Sequence, residues 1–123
     1  MIVEYIQPIL YLTGAVTATM MLQFLFPRQQ AKLLKFDIPT PESRFYFAHW
    51  GLLVFSFGAL LVLAADNEAL RYPVIALAAI EKAALVGWVL AERKQSFAKS
   101  LLPAVAFDTV CVVLYSWYLI VAY

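Results

Sequence analysis

Apolar residues fall in long runs separated by short polar stretches. The first run covers residues 4–26, and beyond Glu4 its polar members, Gln7, Thr13, Thr17, Thr19 and Gln23, are uncharged. Further runs cover 43–65, 69–91 and 98–122. At about 1.5 Å rise per residue, each is long enough to cross a hydrocarbon core of about 30 Å as a helix. A helix at a soluble surface needs a wet face, and "WGLLVFSFGALLVLAA" has none. The pattern therefore predicts an all-α membrane protein: four transmembrane helices in one antiparallel bundle, a single domain over residues 1–123. No repeat at a fixed period is visible.

The interruptions refine this picture. In "FPRQQAKLLKFDIPTPE" (26–42), Arg28, Lys32 and Lys35 alternate with Ala31, Leu33, Leu34 and Phe36, which predicts a short helix lying in the membrane interface between spans one and two. Pro39 and Pro41 end it, and Pro41-Glu42-Ser43 reads as the start of the next helix. "DNEA" (66–69) is a polar turn, and Pro73 falls in the first turn of span three, where it is tolerated. "ERKQSFAKS" (92–100) is the next loop, and Pro103 lies near the start of span four.

Basic residues cluster in the first loop (Arg28, Lys32, Lys35, Arg44) and the third (Arg93, Lys94, Lys99), against Arg71 alone in the second. The positive-inside rule then places loops one and three in the cytoplasm and both termini on the opposite face. Tyr5, Trp50, Tyr72, Trp88, Trp117, Tyr118 and Tyr123 lie near span ends, where interfacial aromatics belong.

Composition narrows the function classes. The chain is 64% hydrophobic and 14% charged, against about 25% charged in an ordinary soluble domain, so membrane lipid is its expected surrounding. A formal net charge of +1 leaves no electrostatic footprint for nucleic acid. The one cysteine, Cys111, allows no intrachain disulfide and no thiolate zinc site, and reads as a small buried hydrophobe. "MIVEYIQPIL" lacks the basic start and the small-residue cleavage site of a signal peptide.

Against this apolar background, Glu81, Lys82 and Asp108 are costly, at about 2.5–3.5 kcal/mol per charge on insertion scales. Counted from the cytoplasmic end of each span, Glu81, Asp108 and Thr17 lie roughly 14–15 Å deep and His49 roughly 9 Å. Residues from four spans thus share one layer, and intramembrane ionisable groups normally face the bundle interior and find partners. Leu77, Ala78, Glu81, Leu85 and Trp88 form a stripe that predicts an inward Glu81, with Ala84 and Gly87 admitting a neighbouring helix. Lys82 is turned off that stripe and either reaches Asp108 or extends its stem toward the headgroups.

The candidate ligand-binding set is His49, Glu81 and Asp108, with Trp50 at the mouth, Thr17 in the layer, and Lys82 or Arg44 compensating charge. Several readings fit this set. It could bind a lipid, quinone or sterol-like molecule between helices. It could act as an acid/base isomerase through His49, Glu81 and Asp108. It could be a purely structural polar knot in a scaffold protein, or a proton or ion path. A metal site is disfavoured, because neither acid has a His three or four residues on. No cofactor motif is visible, and small-residue faces such as Gly51 and Gly58 make a homo-oligomer or membrane partner an expectation.

The run from "FDIPTPESRFYFAHWG" through "LAAIEKAALVGWVL" resembles the small bacterial four-span proteins of the DoxX-like family. The resemblance covers roughly residues 5–120. It rests on the amphipathic linker after span one, His49-Trp50-Gly51 early in span two, Glu81-Lys82 in span three and an acid, Asp108, in span four. It implies a multi-pass protein of the bacterial inner membrane, for which the basic loops make the termini periplasmic, and a role as an accessory subunit of a membrane complex. The layout also resembles the sterol-isomerase-like four-span folds, whose sites use His and Glu, though no motif carries residues across.

Overall fold

The computed structural model describes residues 2–123. The first span is made of α1 (Ile2–Ala18) and a single turn, α2 (Met21–Leu25). The connection to the second span is α3 (Pro27–Leu34), a short amphipathic helix in the place expected from its alternation of basic and apolar residues. The remaining elements are α4 (Pro41–Ala65), α5 (Glu68–Ala91), the one-turn α6 (Ser96–Ser100) and α7 (Leu102–Ala122). Four segments, Ile2–Leu25, Pro41–Ala65, Glu68–Ala91 and Leu102–Ala122, are long and apolar enough to cross a membrane. The chain is thus an all-α four-span protein, as its hydrophobic runs predict.

Local chemistry explains the element ends. Thr13 and Thr17 donate their hydroxyls to the carbonyls of Ile9 and Thr13, at 2.7 Å each. Such back-bonding competes with the helical ladder and bends helices, and the α1 ladder breaks two residues later at Thr19–Met20. Span four begins at Leu102, later than the expected residue 98. Pro103 has no N–H to give the carbonyl four residues back, so α6 cannot run on into α7. Thr40 and Ser43 form a reciprocal capping box at the start of α4, and Asn67 caps α5 by accepting from Ala69 N at 3.1 Å. The Arg71 guanidinium satisfies the carbonyls of Ala64 and Ala65 at the end of α4 (3.1 and 2.8 Å). Asp66, in the same turn, accepts from Gln7 Nε2 at 3.0 Å and from the Tyr11 hydroxyl, which ties that turn to α1.

Each spanning helix packs on its neighbours in sequence, and α7 closes the ring against α1. The pairs α1/α4 and α5/α7 are in more extensive contact than the seams between the pairs. Glycine explains the first pair. A Cβ on Gly58 would sit 2.4 Å from Ala18 N and 2.7 Å from Gly14 O, and one on Gly51 would meet Gln23 Cβ at 2.6 Å. Only a residue without a side chain lets the backbones approach this closely. The Gly51–Gly58 face that the sequence offers for self-association is therefore filled by the first span of the same chain.

Two apolar clusters fill the interior. One, at the end bearing the termini and Asp66, centres on Leu10, Leu61, Ile75, Cys111 and Tyr115. The other, at the basic end, joins Val89, Ala98, Leu101 and Val105 to the rings of Phe36, Trp50 and Phe97. Phe36 reaches this cluster because Lys35 before it adopts the left-handed conformation (φ 58°, ψ 37°), turning the chain back after α3. Its ring then lies 5.4 Å from Phe47, 6.1 Å from Trp50 and 6.0 Å from Phe97. Leu12, Leu53, Leu63, Ile80, Val113 and Ile120 point outward, as lipid-facing side chains do.

Candidate functional site

Between the two apolar clusters, where the helix pairs separate, lies a cavity of about 340 Å³. All four spans and α3 contribute to its wall, which is mostly apolar: Met20, Leu34, Val54, Leu85, Leu101 and Phe107 are among the lining residues. Its exposed lining residues are Val16 and Thr19 at the end of α1 and Pro103 on α7, which places its mouth at the α1–α7 seam.

Thr17, Trp50, Glu81, Lys82 and Asp108, from four spans, all line this cavity. The common depth read from the sequence therefore corresponds to one place in the fold. The rotation of α5 differs in part from the expected one: Ala78 is buried and Glu81 and Leu85 line the cavity as expected, but the centre of the inward face is shifted. Lys82, not Glu81, occupies the centre of the inward face, with 2% of its surface exposed, in line with Val74, Ile75, Ala78 and Val89. Leu77 and Trp88, expected on the inward stripe, are exposed, and Ala84 and Gly87 face outward with no helix against them. Glu81, about 100° round the helix from Lys82, is half-buried at the margin of the interface.

Lys82 is held by two hydrogen bonds and an aromatic ring. Its Nζ gives one hydrogen bond to Asp108 Oδ1 (2.9 Å) and one to Thr17 Oγ1 (3.2 Å), and lies 4.9 Å from the centroid of Phe107. This settles the choice the sequence leaves open: Lys82 pairs with Asp108 and does not run to the headgroups. Thr17 in turn donates to Thr13 O (2.7 Å), and Thr13 Oγ1 accepts from the Tyr115 hydroxyl (2.6 Å). Glu81 contrasts with this. Its Oε2 is shielded from solvent and, among the described residues, has no hydrogen-bond partner.

Two expected members are elsewhere. His49 is exposed on the outer surface of α4, its ring stacked on Phe45 (centroids 5.6 Å apart, 7° between planes). The cause is the Gly51 contact. Phe47 and Gly51 face the first span, and His49, two residues from each, is rotated roughly 200° away from both. The expected convergence of His49, Glu81 and Asp108 is therefore corrected to one of Thr17, Glu81, Lys82 and Asp108. A His with two carboxylates is not assembled, and among the described residues no three His, Cys, Asp or Glu side chains come together as a metal site. Arg44 sits half-buried in the first turn of α4, outside the cavity wall.

Sequence reasoning passed over Tyr115 and understated Gln23. Tyr115 is fully buried and carries its hydroxyl to Thr13; a signal existed, since it lies seven residues, two helical turns, after Asp108 and so on the same face. Gln23 is 1% exposed and donates Nε2 to Phe47 O at 2.7 Å, joining α2 to α4. Comparison of the chain with protein-family models, with curated proteins and with solved structures finds no match.

Proposed function

We propose that this multi-pass protein binds a small hydrophobic or amphipathic molecule, such as a lipid, quinone or sterol-like compound, in the cavity among its spans. The observation that carries this reading is the pairing of an apolar cavity of about 340 Å³ with a shielded, unpartnered carboxylate oxygen, Glu81 Oε2, on a residue of its wall. The volume lies in the range of ligand pockets, about 300–1,000 Å³. A buried polar group without a partner costs about 1–3 kcal/mol, which a ligand with a matching polar head would offset. A mouth toward the α1–α7 seam suits a molecule that arrives laterally from the bilayer.

A second reading, a structural polar knot, is favoured by a different observation: Lys82, Asp108 and Thr17 satisfy one another directly. The two readings divide the residues between them. The ion pair fixes α5 against α7, and Glu81 remains for the ligand. Membership of the DoxX-like family, a bacterial inner-membrane location with periplasmic termini, and a role as an accessory subunit of a membrane complex belong to the same proposal. They rest on the quoted motifs and on the basic loops.

Native mass spectrometry of the protein purified with its lipids tests the reading. A discrete adduct is expected on the unaltered protein and absent from V16W, which fills the mouth. Glu81→Gln should keep its thermal stability in detergent, since no hydrogen bond is removed at Oε2. Absence of any adduct together with collapse of Glu81→Gln would leave the structural reading alone.

A further inference from the structure

The charges around the cavity constrain its ligand. Among the described residues three charged side chains line it, Glu81, Lys82 and Asp108: two acids and one base. The base is paired with one of the acids. Its ammonium has three N–H groups, and Asp108 Oδ1, Thr17 Oγ1 and the Phe107 ring surround it at 2.9, 3.2 and 4.9 Å. Lys82 is thus held by its ion pair, and among the described residues no Arg, His or second Lys lines the cavity.

Glu81 has the opposite character. Lys82 is its neighbour in sequence, but adjacent side chains on a helix do not face each other, and Glu81 Oε2 accepts no hydrogen bond. Among the described residues of the wall, Glu81 is thus the acid without a hydrogen-bonded partner at Oε2, and the base beside it, Lys82, is paired with Asp108. Trp50, on the facing helix, lines the same cavity, and an indole is the best aromatic surface for a cation. A carboxylate with an indole across an apolar space is a complement to a positively charged head on an apolar body. An anionic head would instead meet the Glu81 carboxylate in a medium of low dielectric, where like charges repel strongly, while the only base on the described wall is paired with Asp108.

We infer that the cavity selects a lipophilic cation, an ammonium amphiphile whose charged head is held by the Glu81 carboxylate and the Trp50 ring and whose tail lies along the α1–α7 seam. This rests on the reading of the cavity as a ligand site and names the chemical class of that ligand. Glu81 lies ten residues from the end of α5, roughly 15 Å along the axis. A single-chain amine can insert its head to that depth, whereas a two-chain phospholipid would have to pull its headgroup out of the interface.

The test uses the full chain in nanodiscs of a galactolipid, which has no ammonium group of its own, with empty discs as the partition control. Three probes are compared by equilibrium dialysis: octyltrimethylammonium, its neutral isostere with carbon in place of nitrogen, and octanesulfonate. Saturable binding above the control is expected for the cation alone. Glu81→Gln should weaken that binding about tenfold or more, the equivalent of about 1.4 kcal/mol, and Glu81→Asp should retain most of it. If the three probes bind alike, the cation inference is overturned while the cavity remains a ligand site. If none binds above the control, both fail. The comparison of isosteres on the unaltered protein decides between these outcomes even if a Glu81 variant does not fold.

Discussion

Lys82 Nζ and Asp108 Oδ1 stand 2.9 Å apart between α5 and α7, with side chains only 2% and 9% exposed. Neither charge could be borne alone at that depth, so each explains the other. Removing one partner of a buried pair leaves an uncompensated charge and typically costs about 3–5 kcal/mol, whereas replacing both by apolar residues is often neutral. Lys82→Met and Asp108→Leu should each lower stability by roughly 3 kcal/mol, and the double variant should recover most of the loss. Unfolding in mixed detergent measures this; a double variant as unstable as the worse single would mean that the pair does not act as a unit.

The glycines give a contrast within one helix type. Gly58→Ala places a methyl 2.4 Å from Ala18 N, where only backbone could yield. The α1–α4 contact should open at a cost of about 1–3 kcal/mol or more. Gly87→Ala meets nothing within 4 Å and should gain up to about 1 kcal/mol of helix propensity. Melting temperatures of the two variants should move in opposite directions.

Lys35 occupies a left-handed conformation, φ 58°, at the end of α3. An L side chain there costs roughly 1–2 kcal/mol, part of which glycine gives back in chain entropy. Lys35→Gly should therefore stabilise the protein by up to about 1 kcal/mol. A lowered melting temperature would show that the Lys35 side chain itself is needed.

Orientation is open to labelling. Cys111, the natural thiol, is buried and gives a silent background. A thiol placed by Gln95→Cys, in the exposed stretch before α6, should react with an impermeant reagent from the cytoplasmic side only. Efficient reaction from the other side would invert the topology drawn from Arg93, Lys94 and Lys99.

Some features were legible from residue type and spacing alone. Runs of about 20 apolar residues must be helical in lipid, because every backbone group has to be paired within its own segment. The basic–apolar alternation of 28–36 identifies α3, and Pro41 with Ser43 marks the start of α4. Even the shared depth of Thr17, Glu81 and Asp108 follows, since helical rise is constant and neighbouring spans alternate in direction. The rotation of each helix did not follow. In a soluble helix the polar face supplies it, but around α4 and α5 apolar residues occur on all sides, and the adjacent charges Glu81 and Lys82 point about 100° apart, so the stripe through Glu81 competes with the one through Lys82 and the sequence does not choose between them. Rotation was decided by contacts between distant residues. Gly58 against Gly14 and Ala18 sets α4 and turns His49 outward, and Asp108 with Thr17 draws Lys82, not Glu81, to the centre of the bundle.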